Sequence, residues 1–144
     1  MSRFQALATL VVFFVLFNLG YVFHDLTFGP WFHEQEHEIA REEFIVPLIG
    51  LAFGVYAAVL AHLFPMYRRS YPDQSVWSVG WRFGVLMGVV FDALQGGIIE
   101  YATLEMPFVV FVVDSSYHVF IEGSVAGLLL AWSYQRWYRA RERV

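Results

Sequence analysis

The 144-residue chain contains no cysteine and no lysine. Without cysteine there are no disulfides, thiolate metal sites or cysteine nucleophiles. Without lysine there is no Schiff-base chemistry; all nine basic residues are arginine. Long polar stretches are also scarce, which leaves almost no sequence for a soluble domain. The formal net charge is −4, and no basic cluster lies outside the predicted helix ends. That charge pattern argues against nucleic acid as a partner.

Apolar residues dominate instead. They make up 58% of the chain, well above the ~45–50% of soluble domains, and the mean hydropathy is +0.53. Four apolar runs, at about 4–23, 44–65, 79–101 and 108–133, each reach the ~20 residues needed to cross a ~30 Å hydrocarbon core. The expected fold is all-α, a single membrane domain over 1–144 built as a four-transmembrane-helix antiparallel bundle, with an outer loop at 24–43. The first run is read as a retained helix: it exceeds a signal-peptide core, and Phe17, Asn18, Leu19 and Gly20 make a poor cleavage site.

Arginine distribution sets the expected orientation. Arg3, Arg68, Arg69, Arg82, Arg136, Arg139, Arg141 and Arg143 fall on one side if all four runs span, and only Arg41 lies opposite. By the positive-inside rule both termini face the cytoplasm, in a bacterial cytoplasmic (inner) membrane. Trp31, Trp77, Trp81, Trp132 and Trp137 fall near predicted helix ends, as an interfacial aromatic belt requires. Gly80, Gly84 and Gly88, and likewise Gly123 and Gly127, recur every four residues, the small-xxx-small spacing of closely packed membrane helices.

Against this background the ionisable residues inside the runs stand out, because a charge in hydrocarbon costs a few kcal/mol even on lenient scales and is functional by default. Asp92 lies ten residues beyond Arg82, or ~15 Å at helical rise, and Glu122 lies at a similar depth measured from Trp132. Gln95 and His118 share the next layer outward, and Glu100 and Asp114 the one nearest the outer surface. Asn18 and Tyr56 fall at matching depths on the first two helices. Asp114, His118 and Glu122 follow an i, i+4, i+8 stripe. Antiparallel packing of these stripes predicts a polar seam that opens outward. It either binds or relays a proton, a cation or metal, or a small polar ligand, or it serves only to hold helix register.

The outer loop carries His33, Glu34, Gln35, Glu36 and His37, which match both HExxH and HxxEH. Two histidines one helical turn apart can bind zinc, with the glutamate activating water. A catalytic zinc needs a third ligand and a cleft, and His24 and Asp25 precede the motif rather than follow it. Candidate metal ligands are therefore His24, Asp25, His33, His37, His118 and Glu122. The cofactor is left open: a divalent metal ion is one candidate, and haem a weaker one, since His24, His118 and His62 are expected at unequal depths. His62, where helix two leaves the membrane, is assigned no chemistry.

The segments FGPWF (Phe28 to Phe32), GWRFGVLMGVVFDALQGG (Gly80 to Gly97) and GSVAGLLLAW (Gly123 to Trp132) resemble those of uncharacterised small bacterial four-helix integral membrane protein families, of the domain-of-unknown-function type. The resemblance implies the architecture and carries no activity, cofactor or catalytic residue. Three functional classes follow: a seam protein for a small polar solute, a non-catalytic accessory or assembly subunit of a larger membrane complex, and a metal-dependent membrane enzyme using the outer His/Glu loop. The leaning is away from an enzyme. The expected surroundings are the lipid bilayer and either a homo-oligomer or a larger membrane complex. In this cysteine-free chain, Glu34→Cys is expected to react with a membrane-impermeant maleimide on intact spheroplasts, and Arg141→Cys only after the membrane is opened. The opposite labelling pattern would invert the orientation.

Overall fold

The computed structural model describes residues 3–36, 45–103 and 106–138, and for 33, 35, 36, 92–96, 100 and 138 the backbone alone. Helix α1 (Arg3–Tyr21) runs without a break into π-helical turns over Val22–Thr27, and a short helix α2 (Gly29–Glu36) follows. Helix α3 spans Val46–Arg69. Helix α4 (Val76–Gly88) continues as π-helix over Val89–Ile98 and ends in α5 (Ile99–Thr103). The last helical run comprises α6 (Phe108–Ser116), a π segment (Tyr117–Glu122), α7 (Gly123–Ser133) and a final π segment (Tyr134–Tyr138). Among the described residues there is no strand.

Three helical spans, Arg3–Thr27, Val46–Arg69 and Phe108–Trp137, are long and apolar enough to cross a membrane, while Val76–Phe91 is apolar over a shorter length. At 25, 24 and 30 residues these spans measure about 36–45 Å at helical rise, longer than a ~30 Å hydrocarbon core. Large apolar side chains such as Leu10, Phe14, Leu51, Phe108 and Phe120 point away from the protein interior. In water such a surface would drive aggregation; against lipid tails it costs nothing. The described residues are thus helical, with three helices long and apolar enough to cross a membrane.

Helix α3 runs through Pro65, which is buried. Proline removes one backbone donor, and membrane helices tolerate this where neighbouring helices cover the freed carbonyl. Past Pro65, Arg68 is buried and its guanidinium donates to the backbone carbonyls of Tyr71 and Pro72, tying down the turn after the helix. A cation at a helix C-terminus also meets the negative end of the macrodipole.

Contacts between the helices collect the arginines at one end. Phe4 meets Tyr134 at a ring separation of 5.9 Å, Gln5 bonds His62 at 3.0 Å, and Phe64 packs against both Phe83 and Tyr134. Arg3, Arg68, Arg69, Arg82 and Arg136 neighbour these residues in sequence and so share that end. The buried core, which includes Ala8, Val12, Leu16, Leu60, Ala61, Val79, Ala126 and Leu130, lies between this end and the polar one.

Helix α4 packs most closely against α7, and α1 against α3 and α7. The α4–α7 contact is backbone on backbone. A methyl group at Gly80 would lie 2.5 Å from the Gly127 carbonyl oxygen, and one at Gly123 would lie 2.6 Å from that of Gly84; methyls at Gly84 and Gly127 would collide harder still. Only hydrogen fits at these positions, so dispersion between whole backbones replaces side-chain interdigitation. Gly84→Val is therefore expected to destabilise the protein by at least the ~1–3 kcal/mol typical of overpacking. Thermal unfolding in detergent would show this, with Gly54→Val, which faces open space except for Phe13 at 4.0 Å, as the tolerated control.

Candidate functional site

The polar end of the bundle is built where helices widen. The π turns after α1 carry Val22, Phe23, His24 and Asp25, and their register shows in hydrogen bonds five residues apart: Thr27 Oγ1 donates to the Val22 carbonyl at 2.8 Å, and the Phe28 amide to that of Phe23 at 2.9 Å. The π segment between α6 and α7 carries Tyr117, His118 and Glu122, and the Gly123 amide reaches back to the His118 carbonyl. Such turns are rare and concentrate at functional sites. The π segment after α4 packs against the Tyr117–Glu122 segment, so widened turns from three helical runs lie in the same half of the bundle.

Two contacts fix these turns to each other. Phe23 stacks face to face on Tyr117, with ring centroids 3.7 Å apart and planes 7° from parallel. Gly88 approaches the backbone of His118 and Val119 so closely that a methyl there would lie 2.9 Å from the Val119 Cα. Backbone packing on one side and an aromatic stack on the other thus hold the His118 turn.

The result is a chain of ionisable groups. His118 Nδ1 lies 2.5 Å from Glu122 Oε2, His118 Nε2 lies 3.6 Å from Asp114 Oδ1, and His24 Nε2 lies 3.6 Å from the same oxygen. The two imidazole rings lie side by side, centroids 5.5 Å apart and planes 29° from parallel. His118 Nδ1 and Glu122 Oε2 are within hydrogen-bond range, and an ionised Glu122 would accept from Nδ1. Accessibility falls along the chain: the side chains of His24, Asp114, His118 and Glu122 are 38%, 27%, 19% and 2% exposed. Asp114 Oδ1 and the Tyr117 hydroxyl are buried with no hydrogen-bond partner, an arrangement that buried polar atoms rarely tolerate.

Aromatic rings flank His24. Its ring meets Phe23 edge-on at 4.9 Å and lies 5.3 Å from Phe32, which is itself buried. Phe28, just before helix α2, and Trp31 and Phe32 on it come together over this face. Gly29 lets that helix begin against the His24 carbonyl, 3.2 Å from where a methyl would sit.

Asp114, His118 and Glu122 thus come together as one stripe, and His24 joins them across the bundle. Counting helical rise puts His24 and His118 at unequal depths; instead the two rings are neighbours, 5.5 Å apart. Asp114, read from sequence as a seam residue, also joins the metal-capable donors: His24, Asp114 and His118 each offer one ligand atom, all within 4.8 Å of one another. Asp25 is exposed and is not part of that group. The Asn18 amide turns back to the Phe14 carbonyl at 2.7 Å, and the Tyr56 ring packs on Phe91 at 5.7 Å. His37 and the side chains of His33, Asp92, Gln95 and Glu100 lie outside the described residues; Glu34 is exposed. Phe23 and Tyr117 escaped sequence reading because both look like ordinary membrane aromatics, although Tyr117 adjoins His118 in sequence.

Fold and site together define a helical membrane protein with a histidine–carboxylate cluster between its first and last helical runs. No family model, curated protein or solved structure matches the chain. The donor set has the residue types that can hold a cation or pass a proton from group to group. His118→Ala is expected to cost about 1–3 kcal/mol, because it leaves the buried Glu122 carboxyl without that partner. His62→Ala, which loses an exposed bond to Gln5 at the other end, is expected to cost under ~0.5 kcal/mol. Unfolding midpoints of the two variants in one detergent check the difference.

Proposed function

We propose that the protein is a four-span protein of the bacterial cytoplasmic membrane, both termini cytoplasmic, whose outward-facing polar seam binds a small cation. The observation that carries this reading is the unbroken run Glu122–His118–Asp114–His24, with steps of 2.5, 3.6 and 3.6 Å. It joins the first helical run to the last at the end opposite the arginines. Two carboxyl groups and two imidazoles offer a cation replacement for its hydration shell, while a purely structural network would be expected to close its own hydrogen bonds. The buried Asp114 Oδ1 does not. Exposure that rises from Glu122 to His24 supports entry from the outer end, and the acidic loop would raise the local cation concentration.

The short His118–Glu122 contact favours a second reading, in which the same groups relay a proton. In both readings His118 and Asp114 are essential and His62 is not. Purified protein in nanodiscs, titrated with monovalent and divalent cations by calorimetry, is expected to bind at least one of them. Asp114→Asn and His118→Ala should each weaken that binding at least tenfold, about 1.4 kcal/mol, while helical content is kept. Proteoliposome proton flux is the parallel measurement for the relay. If both variants left every cation affinity and the proton flux at wild-type values, the seam would be structural.

A further inference from the structure

The kind of cation follows from the donors. We propose that His24, Asp114 and His118 form an open three-ligand site for one borderline-soft divalent transition-metal ion of the zinc type, with Glu122 as the positioning residue that sets the tautomer of His118. The proposal rests on the cation reading above and deepens it.

Donor chemistry comes first. Calcium and magnesium take oxygen ligands and seldom imidazole, whereas two imidazoles and a carboxylate suit zinc and its first-row neighbours. Spacing comes second. A tetrahedral ion with bonds of ~2.0–2.1 Å holds its donor atoms ~3.3–3.4 Å apart. Both imidazole Nε2 atoms lie 3.6 Å from Asp114 Oδ1, too far for a hydrogen bond and within a few tenths of an ångström of that polyhedron edge. All three donors fall within 4.8 Å of one another, so a small movement of the His24 ring closes the set.

The unsatisfied atom comes third. Asp114 Oδ1 is buried without a hydrogen bond, and a metal between the two Nε2 atoms would satisfy it. The outer contacts come fourth. Metal-bound histidines almost always donate their other ring N–H to a carboxylate, carbonyl or water. Glu122, 2% exposed and 2.5 Å from His118 Nδ1, would hold the proton on that nitrogen, which makes Nε2 the ligating atom. Its own carboxylate is thereby engaged, which makes it a partner of a ligand rather than a ligand. Finally, the Phe23–Tyr117 stack ties the turn bearing His24 to the turn bearing His118, so ligands from distant parts of the chain are held together before the ion arrives. Three protein ligands leave a coordination position for water or a solute, the pattern of working rather than structural zinc.

The test uses full-length protein in nanodiscs, freed of metal by chelation, with zinc affinity read by competition against a chromophoric chelator. One zinc per chain is expected, undiminished by excess magnesium or calcium. Cobalt should bind at the same site and give the intense visible bands of a low-coordinate nitrogen–oxygen environment. His24→Ala, Asp114→Asn and His118→Ala should each lower zinc affinity at least 100-fold. Glu122→Gln should lower it 10–100-fold, the usual effect of losing a ligand's partner, with the stoichiometry kept; His62→Ala should change nothing. X-ray absorption of the zinc-loaded wild-type protein, which needs no variant to fold, should show two imidazoles. Zinc affinity unchanged by His24→Ala, or absorption without imidazole, would overturn the metal site. If zinc does not bind but another cation does and responds to Asp114→Asn, the metal proposal fails and the cation reading stands. If no cation binds at all, both fail.

Discussion

The structure depends on the close approach of two glycine-lined backbones. Gly80, Gly84 and Gly88 on one helix face Gly123, Gly127 and the His118–Val119 backbone on the other, so near that a single methyl group cannot be added at most of these positions. In lipid, apolar side chains gain nothing by leaving the solvent, so helix association rests on dispersion and polar contacts, and small residues let backbones supply both. Because the contact is between main chains, it leaves little freedom of rotation or sliding. The azimuth of the whole Asp114–Glu122 stripe follows from it, and Gly88 carries the constraint up to His118 itself.

That rigidity bears on the buried charges. Glu122 sits in the protein interior at a level where an unpaired carboxylate would be costly, and His118 meets it at hydrogen-bond distance. Asp114 and His24 extend the same line toward the accessible end. The groups are aligned by two different devices, helical repeat along one helix and an aromatic stack across to the other. Neither device depends on the ionic contacts, so the alignment stands although Asp114 Oδ1 has no hydrogen bond among the described residues. The widened turns at Val22–Thr27 and Tyr117–Glu122 belong to the same logic: they turn side chains that an ideal helix would direct elsewhere.

Much of this was legible beforehand. Segment lengths and apolar content announced a helical membrane protein, since only closed backbone hydrogen bonding survives in hydrocarbon. The spacing of Asp114, His118 and Glu122 placed them on one face, and the four-residue glycine repeats marked the packing surface. The partnership of His24 with that face was not legible. Depth counting fixes only height along an isolated helix and says nothing of how neighbouring helices tilt and slide against one another. Nor was the role of Phe23 and Tyr117 visible, because aromatic residues near a membrane surface are expected on other grounds. The HEQEH loop drew notice as a motif, yet the groups that converge among the described residues lie elsewhere.

What the sequence by itself determined was therefore the solvent, the element type and the stripe: properties set by local composition and by the period of a helix. Which stripe meets which, and at what height, was decided only in three dimensions. The physical reason is that membrane helices are already satisfied in their backbones and insensitive to which apolar face meets lipid, so local sequence places few limits on their rotation and register. The glycine contact and the Phe23–Tyr117 stack remove that freedom. Only then do two histidines 94 positions apart come to share one aspartate oxygen.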